Sequence, residues 1–242
     1  MKYKAIFFDL DGTLLPMDYG TFTKGYFGEL YKVVAPTGLI DAENFVAAIW
    51  KGTKAMMKND GIKSNETVFW ETFAAVTGLP KDSVALLNGM CDGFYTKEFH
   101  LARRFTGENP RAAEAVALAS CKGKRKVVLA TNPLFPRVGQ LSRISWIGLS
   151  EDDFELITSY EEQYYCKPNP QYYIEICKHI GLSPSECLMI GNDEREDVLA
   201  AKAAGLDGYL VTDCLIPCEG DERWQGERGS FSDMLEMLRD LE

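Results

Sequence analysis

Residues 4–15, KAIFFDLDGTLL, constrain the fold more than any other part of this 242-residue chain. They begin with a short apolar run that is typical of a strand buried on both faces, as in a parallel sheet. Two carboxylates, Asp9 and Asp11, follow the run directly, and like charges this close repel each other. The segment therefore predicts a buried strand that ends in a pair of acids, and such a pair needs a cation or a catalytic role.

The same apolar pattern returns three times along the chain, with helical segments in between. The further runs are KVVLATN at 126–132, CLMIGND at 187–193 and GYLVTD at 208–213. Pro170 opens a helical pattern that closes at Gly181, and another helical pattern ends at Gly205. This alternation of strands and helices predicts an α/β fold with a parallel sheet and right-handed crossovers.

Residues 16–104 break the alternation. Their apolar side chains recur at helical spacing in four successive groups, and no strand pattern lies between them. Four helices without a strand suggest a separate unit. We therefore predict an α-helical cap domain at 16–104, inserted into a core domain formed by residues 1–15 and 105–242.

Charge and cysteine content restrict the partners and the compartment. With 26 basic and 36 acidic residues, the formal charge is −10, and such a field repels nucleic acids and anionic membranes. No apolar run approaches the roughly 20 residues that a membrane helix requires. The seven cysteines are scattered and contain no C-x-x-C pair, which argues against a disulfide framework or a structural zinc site. We expect a reduced, cytoplasmic protein without a nucleic-acid or membrane partner, whose oligomeric state the sequence does not indicate.

Four polar clusters could meet at one edge of the predicted sheet, because ligands of open α/β sheets bind beyond the carboxyl ends of the strands. The clusters are Asp9, Asp11 and Thr13, then Thr131 and Asn132, then Lys167, and finally GNDERED at 191–197. Each cluster has an ordinary alternative. A pair of aspartates after a strand also fits a turn with a helix cap, and a lone lysine also fits a solvated loop.

Together and in this order, the clusters resemble the four motifs of the haloacid dehalogenase (HAD) superfamily: strand-D-x-D-G-T, strand-T/S, a lysine, and an acidic cluster after a strand. The insert between the first and second motifs is similar to that family's first-type helical cap. The resemblance implies a Rossmann-like, doubly wound parallel sheet. Its central strand would be the one before Asp9, flanked by the strands that precede Thr131 and Asp193.

The resemblance also implies roles for individual residues. Asp9 would be the nucleophile toward phosphorus, and Asp11 would be the acid that protonates the leaving oxygen and the base that later activates water. Thr131, Asn132 and Lys167 would bind the phosphoryl oxygens. Mg²⁺, a hard cation that prefers oxygen ligands, would be bound by the Asp9 carboxylate, the backbone carbonyl of Asp11 and an acid of the fourth cluster.

The fourth cluster departs from the commonest form of the family motif. Asn192 occupies the position of the first acid if that position lies five residues before Asp197, and Asp193 occupies it if the step is four. We favour Asp193 as the metal ligand because a full charge binds Mg²⁺ better than an amide. Asn192 and Thr13 would then be neighbours of the site, and Asp197 would orient water and Lys167.

The leading interpretation is a Mg²⁺-dependent phosphatase that hydrolyses a small phosphorylated metabolite through an aspartyl-phosphate. Two alternatives remain open: a phosphotransferase of the mutase kind, and a non-catalytic regulatory module that keeps the fold. Glu194 and Glu196 are interpreted as solvated acids at a helix start. The cap residues considered for substrate contact are Lys24, Trp50, Lys51, Lys54, His100, Arg103 and Arg104.

Overall fold

The structure is a computed structural model that describes residues 2–220 and 223–241. Within them, six strands form one sheet in which every pairing is parallel. The strands are β1 (Ala5–Phe8), β2 (Lys126–Leu129), β3 (Leu156–Ile157), β4 (Cys187–Gly191), β5 (Asp207–Val211) and β6 (Arg228–Gly229). The prediction of an α/β fold with a parallel sheet is therefore confirmed.

The strand order is β3-β2-β1-β4-β5-β6, so β1 lies between β2 and β4 as the family resemblance implied. In the register of the sheet, Phe8 at the end of β1 pairs with Leu129 and with Ile190. The residues that follow these three strands therefore leave the sheet side by side. The short strands β3 and β6, two residues each, carry too little pattern for sequence analysis and were not predicted.

Four helices occupy the segment in which helical spacing was found. They are α1 (Tyr19–Val34), α2 (Ala42–Met56), α3 (Asn65–Thr77) and α4 (Lys81–Lys97). The side chains of Asp18, Asp41 and Ser64 accept backbone N–H groups at the starts of α1, α2 and α3, which satisfies donors that have no partner within the helix. The division of the chain into a core and a cap domain at residues 16 and 104 stays a prediction.

The remaining helices flank the sheet. They are α5 (Ala112–Ser120), α6 (Arg137–Trp146), α7 (Pro170–Ile180), α8 (Ala200–Ala204) and α9 (Phe231–Asp240). Helix α7 begins at Pro170 and ends before Gly181, as predicted. The residues before α8, Glu194–Leu199, form a π-helix, a rare form that sequence spacing did not indicate.

Alternate residues of β1 belong to two apolar cores, one on each face of the sheet. Ala5 and Phe7 pack in the core that contains Tyr172 of α7, whereas Ile6 and Phe8 belong to the larger one. That larger core continues without a break into helices α1–α4. In the described residues, no helix is both long and apolar enough to cross a bilayer.

Candidate active site

The loop after β1 turns back on itself and fixes the first cluster. The Asp9 N–H donates to the carbonyl of Ile190 at 2.9 Å, which continues the β1–β4 pairing by one residue. The N–H of Gly12 donates to the Leu15 carbonyl at 2.8 Å, and Gly12 has φ +90°, a conformation that favours glycine. The two acids are thus held at the carboxyl edge of the sheet by backbone geometry.

Replacing Gly12 by alanine is expected to cost more stability than a positive φ alone explains. A Cβ at Gly12 would lie 2.4 Å from Asn192 Nδ2, so the Asn192 side chain would have to move. Gly38 has φ +62° and nothing within 4 Å of its ideal Cβ, so Gly38→Ala measures the backbone cost, about 1–2 kcal/mol. We expect Gly12→Ala to exceed Gly38→Ala by about 1–3 kcal/mol in urea unfolding. Equal losses for the two variants would show that Asn192 is not held against this turn.

Lys167 connects the first and fourth clusters. Its buried ammonium donates to Asp9 Oδ1 at 2.8 Å and to Asp197 Oδ1 at 2.6 Å. Burial on its own lowers the pKa of Lys167, but the carboxylates of Asp197 and Asp9 raise that pKa well above its usual value. Lys167 is therefore a fixed positive charge beside Asp9, which a solvated loop lysine would not be.

Asn192 and Asp193 are held in different ways. The Thr13 hydroxyl donates to Asn192 Oδ1 at 2.9 Å and lies 3.4 Å from Asp9 Oδ2, and the Asn192 amide donates to the Cys214 carbonyl at 2.7 Å. Asp193 Oδ1 accepts the backbone N–H groups of Arg195 and Glu196, so this carboxylate caps the π-helix. Burial raises the pKa of Asp193, and the nearby negative charge of Asp9 adds to that effect.

Thr131 and Asn132 follow β2 beside the first cluster. The carbonyl of Thr131 accepts hydrogen bonds from the hydroxyls of Thr158 and Tyr172 at 2.7 and 2.8 Å. These bonds connect the loop to the smaller core, which contains Tyr172. The Asn132 amide donates to Glu196 Oε2 at 2.8 Å and, at 3.4 Å, to the Lys167 carbonyl. Asn132 is therefore close to Lys167, with its donor directed to a carboxylate.

The interpretation of Glu194 and Glu196 as solvated acids is wrong. Glu194 is buried and accepts the backbone N–H groups of Cys218 and Trp224 at 2.8 and 2.7 Å. Glu196 accepts the Asn132 amide, and burial raises the pKa of Glu196 to about 7. Both residues belong to the π-helix, and the sequence periodicity did not predict that helix.

Arg143 and Gln140 of α6 also lie at the site, although they belong to none of the four sequence clusters. The guanidinium of Arg143 is fully buried and pairs with Asp11 Oδ2 and with Gln140 Oε1. Its central carbon lies 4.1 Å from the centre of the Phe135 ring, within cation–π distance. Gln140 and Arg143 share the buried face of α6 with Ile144, and two polar residues on an apolar face were the available signal.

Burial raises the pKa of Asp11, and the adjacent Arg143 charge opposes that rise without cancelling it. Asp11 Oδ2 is held by Arg143, whereas Asp11 Oδ1 is buried without a hydrogen-bond partner. A buried oxygen without a partner is costly unless a ligand or water supplies one. The Oδ1 atom of Asp11 is thus available to a bound molecule.

The oxygen donors around Asp9 suit a hard divalent cation. Among residues 2–220 and 223–241, no group of three or more His, Cys, Asp or Glu side chains is arranged to enclose a metal. Mg²⁺ does not require such a cage, because it keeps several waters and takes one or two carboxylates. The carboxylates of Asp9 and Asp193 supply that number, so the residues present fit Mg²⁺ and do not fit a softer metal.

Comparison with known proteins agrees with this geometry. A family model described as haloacid dehalogenase-like hydrolase matches residues 3–205. The chain belongs to this family. As a HAD-like hydrolase it is an enzyme, and it is similar to the phosphatases of the family.

One relative and two solved structures illustrate the range of the HAD-like hydrolases. The glyceraldehyde 3-phosphate phosphatase of Methanothermobacter thermautotrophicus is 26% identical over 220 residues, which are 90% of this chain and 89% of the relative. A 2-haloacid dehalogenase from Pseudomonas syringae pv. tomato has a TM-score of 0.66 at 17% identity, covering 99% of this chain and 100% of its own. The magnesium-bound hydrolase YfnB of Bacillus subtilis has a TM-score of 0.59 at 18% identity, covering 98% and 99%. At these identities the two structures show the shared fold alone.

Proposed function

We propose that this HAD-like hydrolase is a Mg²⁺-dependent phosphatase that hydrolyses a small phosphomonoester through an aspartyl-phosphate on Asp9. The observation that carries the proposal is the buried ammonium of Lys167, which bridges Asp9 and Asp197 while Asp11 stands two residues further on. A site that binds only neutral groups would not require a buried lysine between two acids. A site for a phosphoryl group needs positive charge beside its nucleophile.

In the first half-reaction, Asp9 Oδ2 attacks phosphorus and the bond from phosphorus to the leaving oxygen breaks. Lys167 holds the other oxygen of Asp9, which fixes the direction of attack. Thr131 and Asn132 are the proposed donors to the phosphoryl oxygens, together with the charge of Lys167, and the Asn132 amide would have to leave Glu196 Oε2 to reach them. Asp9, Asp193 and the backbone carbonyl of Asp11 would hold Mg²⁺, which when bound supplies further positive charge to those oxygens.

Asp11 is proposed to transfer protons in both half-reactions. It protonates the leaving oxygen as the first bond breaks, and it then takes a proton from the water that attacks the aspartyl-phosphate. Arg143 holds Asp11 Oδ2, so Oδ1 is the oxygen that would exchange the proton. Thr13 and Asn192 are proposed to orient Asp9, and Asp197 to orient Lys167.

We further propose that the enzyme works in the cytoplasm on a small phosphorylated metabolite. All seven cysteines are free thiols, and five of them are buried, which agrees with a reducing compartment. The net charge of −10 opposes a polymeric phosphate substrate.

Removal of divalent metal is expected to abolish hydrolysis of an aryl phosphate, and added Mg²⁺ to restore it. In Asp193→Asn, the Mg²⁺ concentration that gives half-maximal activity should rise at least about tenfold, because a charged ligand is lost. Asn192→Ser is the matched variant at the alternative ligand position, and its requirement should change less. A larger shift in Asn192→Ser would assign the metal to Asn192 instead.

A second assay, on a labelled sugar phosphate with and without a bisphosphate primer, separates the proposal from the two alternatives. A phosphatase releases inorganic phosphate from the phosphomonoester, whereas a mutase returns an isomeric phosphate ester. A regulatory module yields neither product at any Mg²⁺ concentration.

A further inference from the structure

An aromatic cavity lies between the helices of residues 16–104 and the loop after β2. Asp11 forms part of its wall, and the residues that follow Asn132 form another part, through Leu134, Phe135 and Pro136. Helices α1, α2, α3 and α4 contribute most of the remainder. Six of the rings that line the cavity are those of Phe22, Phe45, Phe69, Phe73, Tyr95 and Phe135.

We propose that this cavity receives the leaving group, and that the substrate is therefore a phosphomonoester of an apolar, uncharged alcohol. The inference rests on the proposed function, because it takes Asp9 as the nucleophile and Asp11 as the acid. The leaving oxygen must meet Asp11 to be protonated, so the group attached to that oxygen extends from Asp11 into the space beyond. The cavity is lined by Asp11 and encloses about 70 Å³, less than half of the roughly 150 Å³ that holds a benzene ring, so it suits a short alkyl chain.

The cavity offers no partner to a second charge on the substrate. Among its described lining residues, Asp11 is the sole charged side chain. The nearest guanidinium, that of Arg143, is already paired with Asp11 and Gln140. A carboxylate or second phosphate without a cation would lose its hydration and gain no replacement, which costs several kcal/mol in a buried site.

The hydroxyls that line the cavity belong to Tyr19, Thr23, Tyr26, Thr53, Tyr95 and Tyr160. Those of Tyr26 and Tyr95 bond to each other at 2.5 Å, so a polyhydroxylated sugar cannot take both donors. Six of the seven cap residues considered from the sequence as substrate contacts, all of them basic, lie outside this lining and are exposed. The seventh, Trp50, does line the cavity. The rings of the lining therefore favour an apolar group over a charged one.

A second cleft also touches Asp11 but is less suited to the leaving group. It is an open cleft of Gly12, Pro16, Asn192 and Ile216, among others. None of its described lining residues comes from 131–136, the loop that carries the proposed phosphoryl donors. The aromatic cavity adjoins that loop.

The closing experiment measures binding and turnover separately, on the intact protein with Mg²⁺. Propylphosphonate and phosphonoacetate, which cannot be hydrolysed, are compared by calorimetry, and we expect propylphosphonate to bind at least about tenfold more tightly. In turnover, kcat/KM for n-alkyl phosphates should rise about fourfold with each added methylene until the cavity is full. Propyl phosphate should exceed glycerol 3-phosphate and phosphoglycolate, whose leaving groups are of similar length.

A cation placed in the wall of the cavity should weaken the preference for the apolar phosphonate. Thr53 is a half-buried residue of the lining, and Thr53→Arg should lower the ratio of propylphosphonate to phosphonoacetate affinity at least about tenfold. The matched control is Thr96→Arg, at an exposed position of α4 outside the cavity, which should leave the ratio unchanged. Circular dichroism checks that both variants fold.

The outcomes distinguish this inference from the proposed function. Tighter binding of phosphonoacetate by the wild-type protein overturns the inference, whether or not phosphate esters are hydrolysed. A preference for propylphosphonate without hydrolysis of any ester supports the apolar preference of the cavity and overturns the phosphatase. A flat alkyl series with normal turnover of phosphoglycolate overturns the inference and leaves the phosphatase standing.

Discussion

Asp9→Asn is expected to lower kcat for phosphomonoester hydrolysis by at least about 10⁴-fold. An amide has the shape of the carboxylate but is not a nucleophile toward phosphorus, so the aspartyl-phosphate cannot form. Lys167 keeps its bond to Asp197 in the variant, and the buried lysine therefore retains a counter-charge. The loss should appear in kcat, with the circular dichroism spectrum unchanged.

The control for Asp9→Asn is Asp152→Asn, the same change at an exposed acid. It should leave kcat within about twofold of the wild type, because surface substitutions of this kind have small effects. A phosphatase rate in Asp9→Asn that is close to the control would refute Asp9 as the nucleophile. Normal phosphate binding together with lost turnover would support it most directly.

The fold was predictable to the extent that its signals are local. The run that becomes β1 is short, apolar and followed by acids. The start of α7 at Pro170 is likewise indicated by neighbouring residues in the sequence. The place of β1 between β2 and β4 came from the family resemblance, since periodicity contains no information on strand order. The π-helix Glu194–Leu199 could not be predicted. Its backbone hydrogen bonds span one residue more than those of an α-helix, and the segment of six residues is too short to show that difference in its sequence.

The residues of the candidate site that belong to a motif could be predicted from the sequence. A residue outside the motifs, whose only signal is its contact with a distant partner, could not. Lys167 lies 158 residues from Asp9, and its position followed from the motif order alone. Arg143 lies 132 residues from Asp11, belongs to none of the four clusters and was missed. A buried ion pair depends on three-dimensional proximity, which one sequence without the fold does not provide.

Arg143→Met is expected to lower the free energy of unfolding by about 3–5 kcal/mol. The variant keeps a long apolar stem against Phe135 but leaves Asp11 without its counter-charge and Gln140 Oε1 without its donor. Removing one member of a buried ion pair is costly because the remaining group stays dehydrated. Urea unfolding measures the loss.

Three further variants test whether the loss comes from the Asp11 pair. Arg137→Met removes a half-buried arginine from the same helix. It loses an ion pair with the exposed Glu151 and a 3.3 Å hydrogen bond to the Ile157 carbonyl, so the free energy of unfolding should fall by at most about 2 kcal/mol. Arg143→Met combined with Asp11→Asn removes both charges, and we expect the double variant to be more stable than Arg143→Met alone. With Asp11→Asn alone as the remaining member of the cycle, the coupling energy between the two positions measures the pair itself. If Arg143→Met lowers the free energy of unfolding no more than Arg137→Met does, Arg143 contributes only apolar packing. The loop of residues 9–15 must then orient Asp11.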